Sequence, residues 1–396
     1  MSGLIESCQN SNVGKIMKIF DEQQGNQFLK NLKNKGRSIK FCVLGAGNGG
    51  MAMAGHLAIM GFGVHLYNRS EERLRGVKWH GGIQVTGEVK GFGEIPIATT
   101  DIEQAISDVN VLMIAVPAAA HAYIAEQCAP YLQDGQIIVL NPGRTGGTLE
   151  FRKILMEKNC NKKIFLAEAQ TFLYAARTTS SASVHIFRIK NEVPLATLPA
   201  YWIPGVLSVI HEAFPQFVPG DNVLKTSLDN IGAVFHPALT IFNTAWIEKT
   251  KGNFDFYHDG LSKSLSLVLE EIDRERVAVA ASLGIKINSA REWLYQVYGS
   301  HGDNLYEAIQ DTFSYSGIKA PQEINHRYVW EDVPFSLVPI SSIGKMLGIK
   351  TPTIDAIIHI SGILLKKDFR KQGRTVEKLG ISGMSVKEII HMVVGL

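Results

Sequence analysis

Short apolar runs alternate with helical patterns over the first half of the chain. Runs of strand composition lie at residues 39–44, 64–67, 109–116, 136–140, 164–167, 184–190 and 194–198. Between them, segments such as 51–58 and 148–157 have helical composition. Continuous apolar runs are typical of strands buried on both faces, so the alternation predicts a doubly wound parallel sheet with late antiparallel additions. A hairpin between glycine turns is also expected, at residues 81–87 and 94–98.

Helical periodicity dominates the second half of the chain. The helical segments are 223–249, 262–283, 289–297, 305–312, 341–347, 353–366 and 386–394. We therefore predict an N-terminal extension (1–38), a dinucleotide-binding domain (39–221) and a helical substrate domain (222–396). The functional site should lie in the cleft between the two domains. The extension has an amphipathic piece at residues 13–20 and is expected to pack a helix on the body.

A glycine-rich loop joins the first predicted strand to the first predicted helix. Gly45, Gly47 and Gly50 have the spacing G-x-G-x-x-G inside a βαβ unit of about 30 residues, and Asn48 and Gly49 complete the loop. Gly45 allows a tight turn, Gly47 lets a pyrophosphate approach the backbone, and Gly50 lets the helix pack on the strand. The free N–H groups of the helix start favour phosphate. The loop predicts dinucleotide binding; the alternative is a glycine-rich turn without a ligand.

The end of the second predicted strand bears on the choice of cofactor. An NAD site usually has an acidic residue there, which accepts hydrogen bonds from the ribose 2′-OH. This chain has Asn68 and Arg69 instead. A guanidinium pairs well with phosphate oxygens, so we expect NADP(H) to be favoured over NAD(H). The alternative is that Arg69 is a solvated surface cation or stacks on the adenine.

Three loops follow the carboxyl ends of predicted strands, where ligands bind in sheets of this kind. They are residues 116–121, 141–147 and 168–177. Val116, Pro117 and Asn141 are therefore candidate cofactor contacts, since small residues and backbone amides permit close approach. Arg144 is a candidate for an anionic substrate group. The alternatives for Arg144 are a surface cation or an inter-domain salt bridge.

Composition excludes several classes of protein. The 396 residues are 45% hydrophobic and 19% charged, which is ordinary for globular domains, and the net charge of +3 is too small to indicate nucleic acid or an anionic membrane surface. No apolar run reaches 18 residues. The four cysteines show neither CxxC nor metal-ligand spacing, so no metal site is predicted. A reduced, cytoplasmic setting is expected, because the N-terminus lacks a secretory apolar region.

Two polar groups of residues interrupt the helical half. In the first, Thr226 and Asn230 are spaced i, i+4 on a predicted helix, and His236 precedes Pro237, which should kink that helix. The second, residues 326–334, combines two acids, an arginine and aromatic residues. On the pattern alone, His236 also fits a hydrogen-bonded core histidine.

These and other segments resemble the octopine/nopaline (opine) dehydrogenase family. The similar segments are 43–50, 140–147, 149–153, 226–237, 327–328, 331–333, 369–371 and 379–380. The resemblance implies an α/β N-terminal Rossmann-type domain with a parallel sheet, plus an all-α C-terminal domain like that of 6-phosphogluconate dehydrogenase. It also implies a catalytic His–Asp dyad, which falls on His236 and Asp332. Glu331 is the alternative partner for the histidine.

The resemblance implies NAD(P)H-dependent reductive condensation of an amino acid with an α-keto acid such as pyruvate. Arg327 is the candidate partner of a substrate carboxylate. Asn230 and Thr226 are candidate hydrogen-bonding groups for the substrate, with helix packing or capping as the alternative. The expected partners are these small molecules, with no nucleic acid and no membrane; a homodimer is an open alternative to a monomer.

Two other functions remain open from the sequence. The first is a 2-keto or 3-hydroxy acid reductase of the ketopantoate or glycerol-3-phosphate dehydrogenase type, which would use a lysine as its acid and base. Lys225 directly precedes the first polar group and is the candidate lysine for this function. The second is a non-catalytic NADP-binding regulator, which would need no converging histidine and aspartate.

Overall fold

The computed structural model describes residues 20–395. In these residues twelve strands, all before residue 220, form a large sheet of eight strands and a small sheet of four. The strands are β1 (Lys40–Leu44), β2 (Gly63–Tyr67), β3 (Gly82–Gly87), β4 (Gly91–Glu94), β5 (Ile97–Thr99), β6 (Val111–Ile114), β7 (Ile137–Leu140), β8 (Phe165–Ala169), β9 (Tyr174–Ser180), β10 (Ser183–Ile189), β11 (Val193–Leu198) and β12 (Phe217–Pro219). The large sheet has the order β12-β11-β8-β7-β6-β1-β2-β5. Its pairs are parallel except β8 with β11. The predicted sheet with a late antiparallel addition is therefore confirmed.

A second sheet of four strands, in the order β4-β3-β10-β9, was not expected. The predicted hairpin is wrong in its second strand: β3 pairs with β4 at Gly91–Glu94, whereas Ile97–Thr99 forms β5 beside β2 on the large sheet. The Gly-Phe-Gly sequence of β4 lacks the alternation of apolar and polar residues that marks a strand. Position 93 requires glycine, because a Cβ there would lie 2.5 Å from the carbonyl oxygen of Gly55.

Helices flank the large sheet and make up the regular secondary structure of the described chain after residue 222. They are α1 (Glu22–Lys33), α2 (Asn48–Ile59), α3 (Arg75–His80), α4 (Ile102–Ile106), α5 (His121–Cys128), α6 (Gly147–Glu157), α7 (Ile203–Ile210), α8 (Val223–Leu228), α9 (Gly232–Phe242), α10 (Thr244–Thr250), α11 (Lys263–Ser282), α12 (Ala290–Tyr298), α13 (Leu305–Asp311), α14 (Arg327–Trp330), α15 (Val338–Met346), α16 (Pro352–Leu365), α17 (Phe369–Gln372), α18 (Val376–Leu379) and α19 (Val386–Val394). A π-helical turn, Val333–Leu337, precedes α15. The all-α second half is as predicted.

The long helix predicted over residues 223–249 is instead three helices, α8, α9 and α10. The first break falls at Asp229 and Asn230, whose side chains make tertiary contacts. Asp229 accepts a hydrogen bond from the backbone of Asn288 at 3.1 Å, and the buried guanidinium of Arg276 bonds the carbonyl of Leu228. Short polar side chains that find partners outside the helix favour such a break.

The first described residues lie against the body. Helix α1 is capped by Asp21, whose side chain accepts from the backbone of Gln24. Phe20 stacks on Phe165 of β8 with ring centroids 4.9 Å apart, and Leu29 of α1 is buried. The amphipathic piece predicted at residues 13–20 lies, apart from Phe20, outside the described residues. The domain limits at residues 38 and 221 stay predictions.

A buried arginine from the helical half fixes two loops at the carboxyl edge of the large sheet. Arg374 is fully buried; its guanidinium donates to the carbonyls of Gly143 and Thr145 and forms an ion pair with Glu150 at 2.7 Å. It also lies 2.9 Å from Nδ1 of His121. Burial and the charge of Arg374 lower the pKa of His121, so the neutral ring accepts this bond. The loops after β6 and β7 therefore depend on the helical half for their shape.

Within residues 20–395, no helix is long and apolar enough to cross a membrane. The same residues contain no cluster of acidic, histidine or cysteine side chains that could hold a metal ion.

Candidate active site

The glycine loop leaves β1 and enters α2 as predicted. Gly45 has φ of 120°, and its N–H donates to the carbonyl of Tyr67 at 2.8 Å. A Cβ on Gly50 would lie only 1.6 Å from the carbonyl oxygen of Gly45, so Gly50 permits the close helix–strand contact. A Cβ on Gly47 would meet nothing within 4 Å. The start of α2 therefore opens onto free space, as binding of a pyrophosphate requires.

Asn48 and Gly49 connect this loop to the small sheet. The side-chain oxygen of Asn48 accepts hydrogen bonds from the backbone and the hydroxyl of Thr178, at 2.9 and 2.8 Å. A Cβ on Gly49 would lie 2.4 Å from the ring of Phe172. Both residues thus position β9 and the loop before it along one side of the predicted cofactor site.

Asn68 and Arg69 directly follow the end of β2. Asn68 accepts a hydrogen bond from the backbone of Ala46 at 3.1 Å, and so braces the glycine loop. The guanidinium of Arg69 lies 5.7 Å from the ring centre of Tyr123. Among the described residues no acid forms a salt bridge with Arg69, so its charge is available to a ligand.

The strand ends next to the loop supply Val116, Pro117 and Asn141. Val116 lies against Gly45, where a Cβ would meet its side chain at 2.7 Å. Pro117 begins the turn that leads into α5. Asn141 is buried; its amide group donates to the carbonyl of Val139, while its Oδ1 has no hydrogen-bond partner in the described part of the chain. An unpaired buried acceptor is costly, and at this edge it fits a ligand that offers a donor.

His236 and Asp332 lie together although they are 96 positions apart. Nδ1 of His236, in α9, is 2.8 Å from Oδ2 of Asp332. The opposite ring nitrogen, Nε2, is 3.2 Å from the hydroxyl of Tyr257. Burial raises the pKa of Tyr257, so its phenol stays protonated and donates to Nε2. This arrangement assigns the ring proton to Nδ1, facing the carboxylate.

Aromatic residues shape the space around the histidine. Tyr328 stacks on the ring of His236 with centroids 4.1 Å apart and an angle of 15° between the planes. Asp332 is fully buried, whereas the His236 side chain is 19% exposed. His236 is therefore not enclosed in the apolar interior, and its ring orientation is fixed by Asp332, Tyr257 and Tyr328.

Arg144 was predicted to bind a substrate anion, but it pairs with protein carboxylates. Nη1 lies 2.8 Å from Oδ1 of Asp332, and Nη2 lies 3.4 Å from Glu331. Only 11% of its side chain is exposed. Burial would raise the pKa of Asp332, but the charge of Arg144 and the bond from His236 outweigh burial, and the pKa is lowered. Of the two alternatives to anion binding, a surface cation and a salt bridge between the two halves, the contacts of Arg144 fit the salt bridge.

The guanidinium of Arg327 donates to Glu331 through Nε and Nη2, which leaves Nη1 for a ligand. Its Nη2 is 2.8 Å from Oε2 of Glu331, and 54% of its side chain is exposed. The other oxygen of Glu331 accepts from the backbone of Ala118 at 3.0 Å. Glu331 is thus occupied on both oxygens and is not the partner of the histidine, while Arg327 faces the solvent side of the site.

Thr226 and Asn230 do not share a helix face, because α8 ends between them. Thr226 is buried and donates to Glu168 at 2.8 Å, which leaves it no access to a substrate. Asn230 is also buried; it donates to Ser336 at 2.7 Å and accepts from Arg144 at 3.4 Å. The alternative of helix packing therefore fits the contacts of Thr226, and Asn230 supports Arg144.

Sequence reasoning assigned no role to Glu168 or to Tyr257, and only Tyr257 contacts the dyad directly. Glu168 is fully buried and accepts from Thr148, Thr226 and Ser227, and burial raises its pKa. An acid at the end of an apolar strand could have drawn attention to it. Tyr257 comes from the segment between α10 and α11, where no periodicity marks it. Lys225, the alternative acid and base, pairs instead with Asp221 at 3.7 Å, and 38% of its side chain is exposed.

Two family models match different parts of the chain. The model described as NAD/NADP octopine/nopaline dehydrogenase, alpha-helical domain, matches residues 219–365. The model described as NAD-dependent glycerol-3-phosphate dehydrogenase N-terminus matches residues 40–163. The two matches follow the division into a sheet half and a helical half.

Whole-chain relatives agree with these matches. A curated opine dehydrogenase of Arthrobacter sp. (strain 1C) is 39% identical over 350 residues, which is 88% of this chain and 97% of the relative. A solved octopine dehydrogenase with NADH and L-arginine has a TM-score of 0.75 at 22% identity, covering 91% of this chain and 98% of its own. Yersinopine dehydrogenase with bound NADP+ has a TM-score of 0.69 at 16% identity, with the same coverage. The two structures show a common fold.

Substitution of Gly47 tests the cofactor site. In Gly47→Val the branched side chain should project into the open space over α2, so NADH and NADPH should both bind at least tenfold more weakly, by fluorescence titration, while the free energy of unfolding changes little. Gly63→Val, at the exposed start of β2, is the control and should leave both affinities unchanged. Unaltered cofactor affinity in folded Gly47→Val would mean that the loop is a structural turn without a role in cofactor binding.

Proposed function

Because this chain belongs to the NAD/NADP octopine/nopaline dehydrogenase family, we propose that His236 and Asp332 are its catalytic dyad. The chain is an NAD(P)-dependent oxidoreductase that acts on CH–NH bonds, that is, an opine dehydrogenase. The observation behind the dyad is the 2.8 Å contact between Nδ1 of His236 and Oδ2 of Asp332. Only the fold can bring together two residues so distant in sequence, and the His236 side chain stays 19% exposed.

The reaction sets three tasks for the protein. The amino group of an amino acid attacks the carbonyl carbon of an α-keto acid, water leaves, and the resulting imine carbon takes up a hydride, which gives a secondary amine with two carboxylates. The bound nicotinamide supplies the hydride. The protein must therefore hold two anionic substrates, move protons near neutral pH and limit access of water. Pyruvate is the keto acid that we propose.

His236 and its partners meet the second task. Nε2 accepts a proton from the attacking amine and returns it to the departing hydroxyl, which leaves as water. Asp332 holds Nδ1–H and stabilises the ring when it is charged, as the carboxylate does in hydrolase triads. Asp332 can do so only while it is ionised, and the neighbouring Arg144, with the bond from His236, lowers its pKa against burial. The hydroxyl of Tyr257 holds Nε2 until the substrate arrives.

Arg327 meets the first task for one substrate. Its half-exposed guanidinium is anchored on Glu331, one residue before Asp332, so it lies beside the dyad. Guanidinium binds a carboxylate through two parallel hydrogen bonds, and we assign Arg327 to the carboxylate of the keto acid. Arg144 and Asn230 act indirectly, through their contacts with Asp332 and with each other.

NADP(H) is the proposed cofactor. The support is the pair Asn68 and Arg69 at the end of β2, where no acid would repel a 2′-phosphate. The 2-keto acid reductase remains the second candidate function, but its lysine would have to be Lys225, whose side chain is 38% exposed and pairs with Asp221. A cytoplasmic location and a homodimer stay predictions from the sequence.

Amine-dependent oxidation of NADPH tests the function and the dyad together. With pyruvate, the protein should oxidise NADPH only when an amino acid is added. His236→Ala should lower this turnover by about 10²–10⁴, and Asp332→Asn should lower it strongly as well, with little change in NADPH affinity. The double variant should be little worse than His236→Ala, since the two residues act as one unit.

His326→Ala is the matched control for the dyad, because His326 packs edge-on against Tyr328 without a hydrogen bond to Asp332. It should retain most of the turnover. Oxidation of NADPH with pyruvate alone would instead support the hydroxy-acid reductase. Full activity of His236→Ala would contradict the assignment of His236 and Asp332 as the catalytic dyad.

Arg69→Ala tests the cofactor preference. The unmodified protein should bind NADPH more tightly than NADH, because each charge-assisted hydrogen bond to the 2′-phosphate contributes about 1.5–3 kcal/mol. Arg69→Ala should remove most of that difference and leave NADH binding unchanged, whereas Arg73→Ala, an exposed arginine one turn further on, should preserve it. Equal or better use of NADH by the unmodified protein would contradict the proposal.

A further inference from the structure

Lys190 directly follows β10 and bonds a threonine rather than an acid. Its backbone N–H donates to the carbonyl of Leu173 at 3.0 Å, and its Nζ donates to the hydroxyl oxygen of Thr171 at 2.7 Å. In the described chain no carboxylate lies within salt-bridge distance of Nζ. Lys190 is exposed.

The loop that holds Thr171 spans the space between the cofactor loop and the dyad. It follows β8, at the carboxyl edge of the large sheet. On one side, the ring of Phe172 covers Gly49 of the glycine loop. On the other, Gln170 donates to the carbonyl of Asp229 at 3.2 Å, and the next residue, Asn230, bonds Arg144. Lys190 and Thr171 therefore lie in the wall between the two halves of the site.

The loop of Thr171 brings Lys190 toward Arg144, whose charge acts on the lysine. The crowded surroundings and then the charge of Arg144 lower the pKa of Lys190 to about 8. Arg144 and Arg327 are balanced by Asp332 and Glu331, so Lys190 is a positive charge without a protein counter-charge at this site. An anion that binds there relieves its repulsion with Arg144.

We propose that Lys190 and Thr171 form the subsite for the carboxylate of the amino-acid substrate. The inference rests on the proposed function: the product carries two carboxylates, and Arg327 takes only that of the keto acid. Nζ of Lys190 supplies the charge, and the hydroxyl of Thr171, which accepts from Nζ, keeps its own proton to donate to a carboxylate oxygen. A cofactor phosphate would use the same chemistry, but the start of α2 and Gly47 offer that group its own site.

Lys190→Met tests the subsite through the discrimination between two amines. The probes are the best substrate in a panel of L-amino acids and the amine left when its carboxylate is removed; for L-leucine this is isoamylamine. At saturating pyruvate and NADPH, the unmodified protein should prefer the amino acid in kcat/KM. Lys190→Met should lower that preference at least tenfold by raising the KM of the amino acid, and should change the KM of pyruvate and the Kd of NADPH less than twofold.

Two further variants sharpen the result. Arg188→Met removes a nearby exposed cation whose side chain bonds Asn191, and it should leave the preference unchanged. Lys190→Arg should keep the preference and also hold the KM of the amino acid steadier above about pH 8, where the lysine of the unmodified protein loses its charge and an arginine does not.

The outcomes separate the subsite from the function. An unchanged preference in Lys190→Met overturns the subsite, and so does a loss confined to the Kd of NADPH, which would assign the cation to a cofactor phosphate. Either result leaves the proposed function intact if His236→Ala still abolishes amine-dependent turnover. Full activity of His236→Ala would instead overturn the function itself.

Discussion

The ion pair between Arg144 and Asp332 is the interaction on which the site depends. Two adjacent acids, Glu331 and Asp332, are buried at the start of the π-helical turn, and two buried carboxylates without a cation would be very costly. Arg144 reaches both from the loop after β7, with a left-handed backbone at φ of 56°. One guanidinium thus keeps Asp332 ionised for His236 and joins the sheet half to the helical half.

Other contacts across the same boundary bring the cofactor loop and the dyad into a single unit. Glu331 accepts from the backbone of Ala118, next to the strand end that packs on Gly45. Arg374 bonds the carbonyls on either side of Arg144, and so holds the backbone from which that guanidinium extends. Hydride transfer and proton transfer must occur within a few ångströms of each other. These contacts explain how residues from two halves keep that spacing.

The sequence predicted the fold well because its patterns are local. The glycine loop, the buried strands and the helical half follow from periodicity and from glycine chemistry within short windows. The pairing of His236 with Asp332 was implied only by the family resemblance. Local patterns also left two alternatives undecided: the role of Thr226, whose hydroxyl donates to Glu168, and that of Arg144, whose acidic partners lie almost 190 positions further on. The partner of a polar side chain is set by tertiary structure, which periodicity does not encode.

The central claim is that Arg144 keeps Asp332 charged, and the pH dependence of stability tests it. In the folded protein Asp332 has a lowered pKa, so its pairing stabilises the fold above the pKa of the unfolded chain and fades as the pH falls through the folded value. In Arg144→Gln the buried Asp332 loses its arginine partner, which should cost about 3–5 kcal/mol at pH 8. Urea unfolding should show this cost shrinking toward pH 5, as the unpaired Asp332 takes up a proton. Removal of the half-exposed Arg327 in Arg327→Gln should cost less than about 1 kcal/mol. A cost for Arg144→Gln that is the same at both pH values, or no larger than that of Arg327→Gln, would contradict the account.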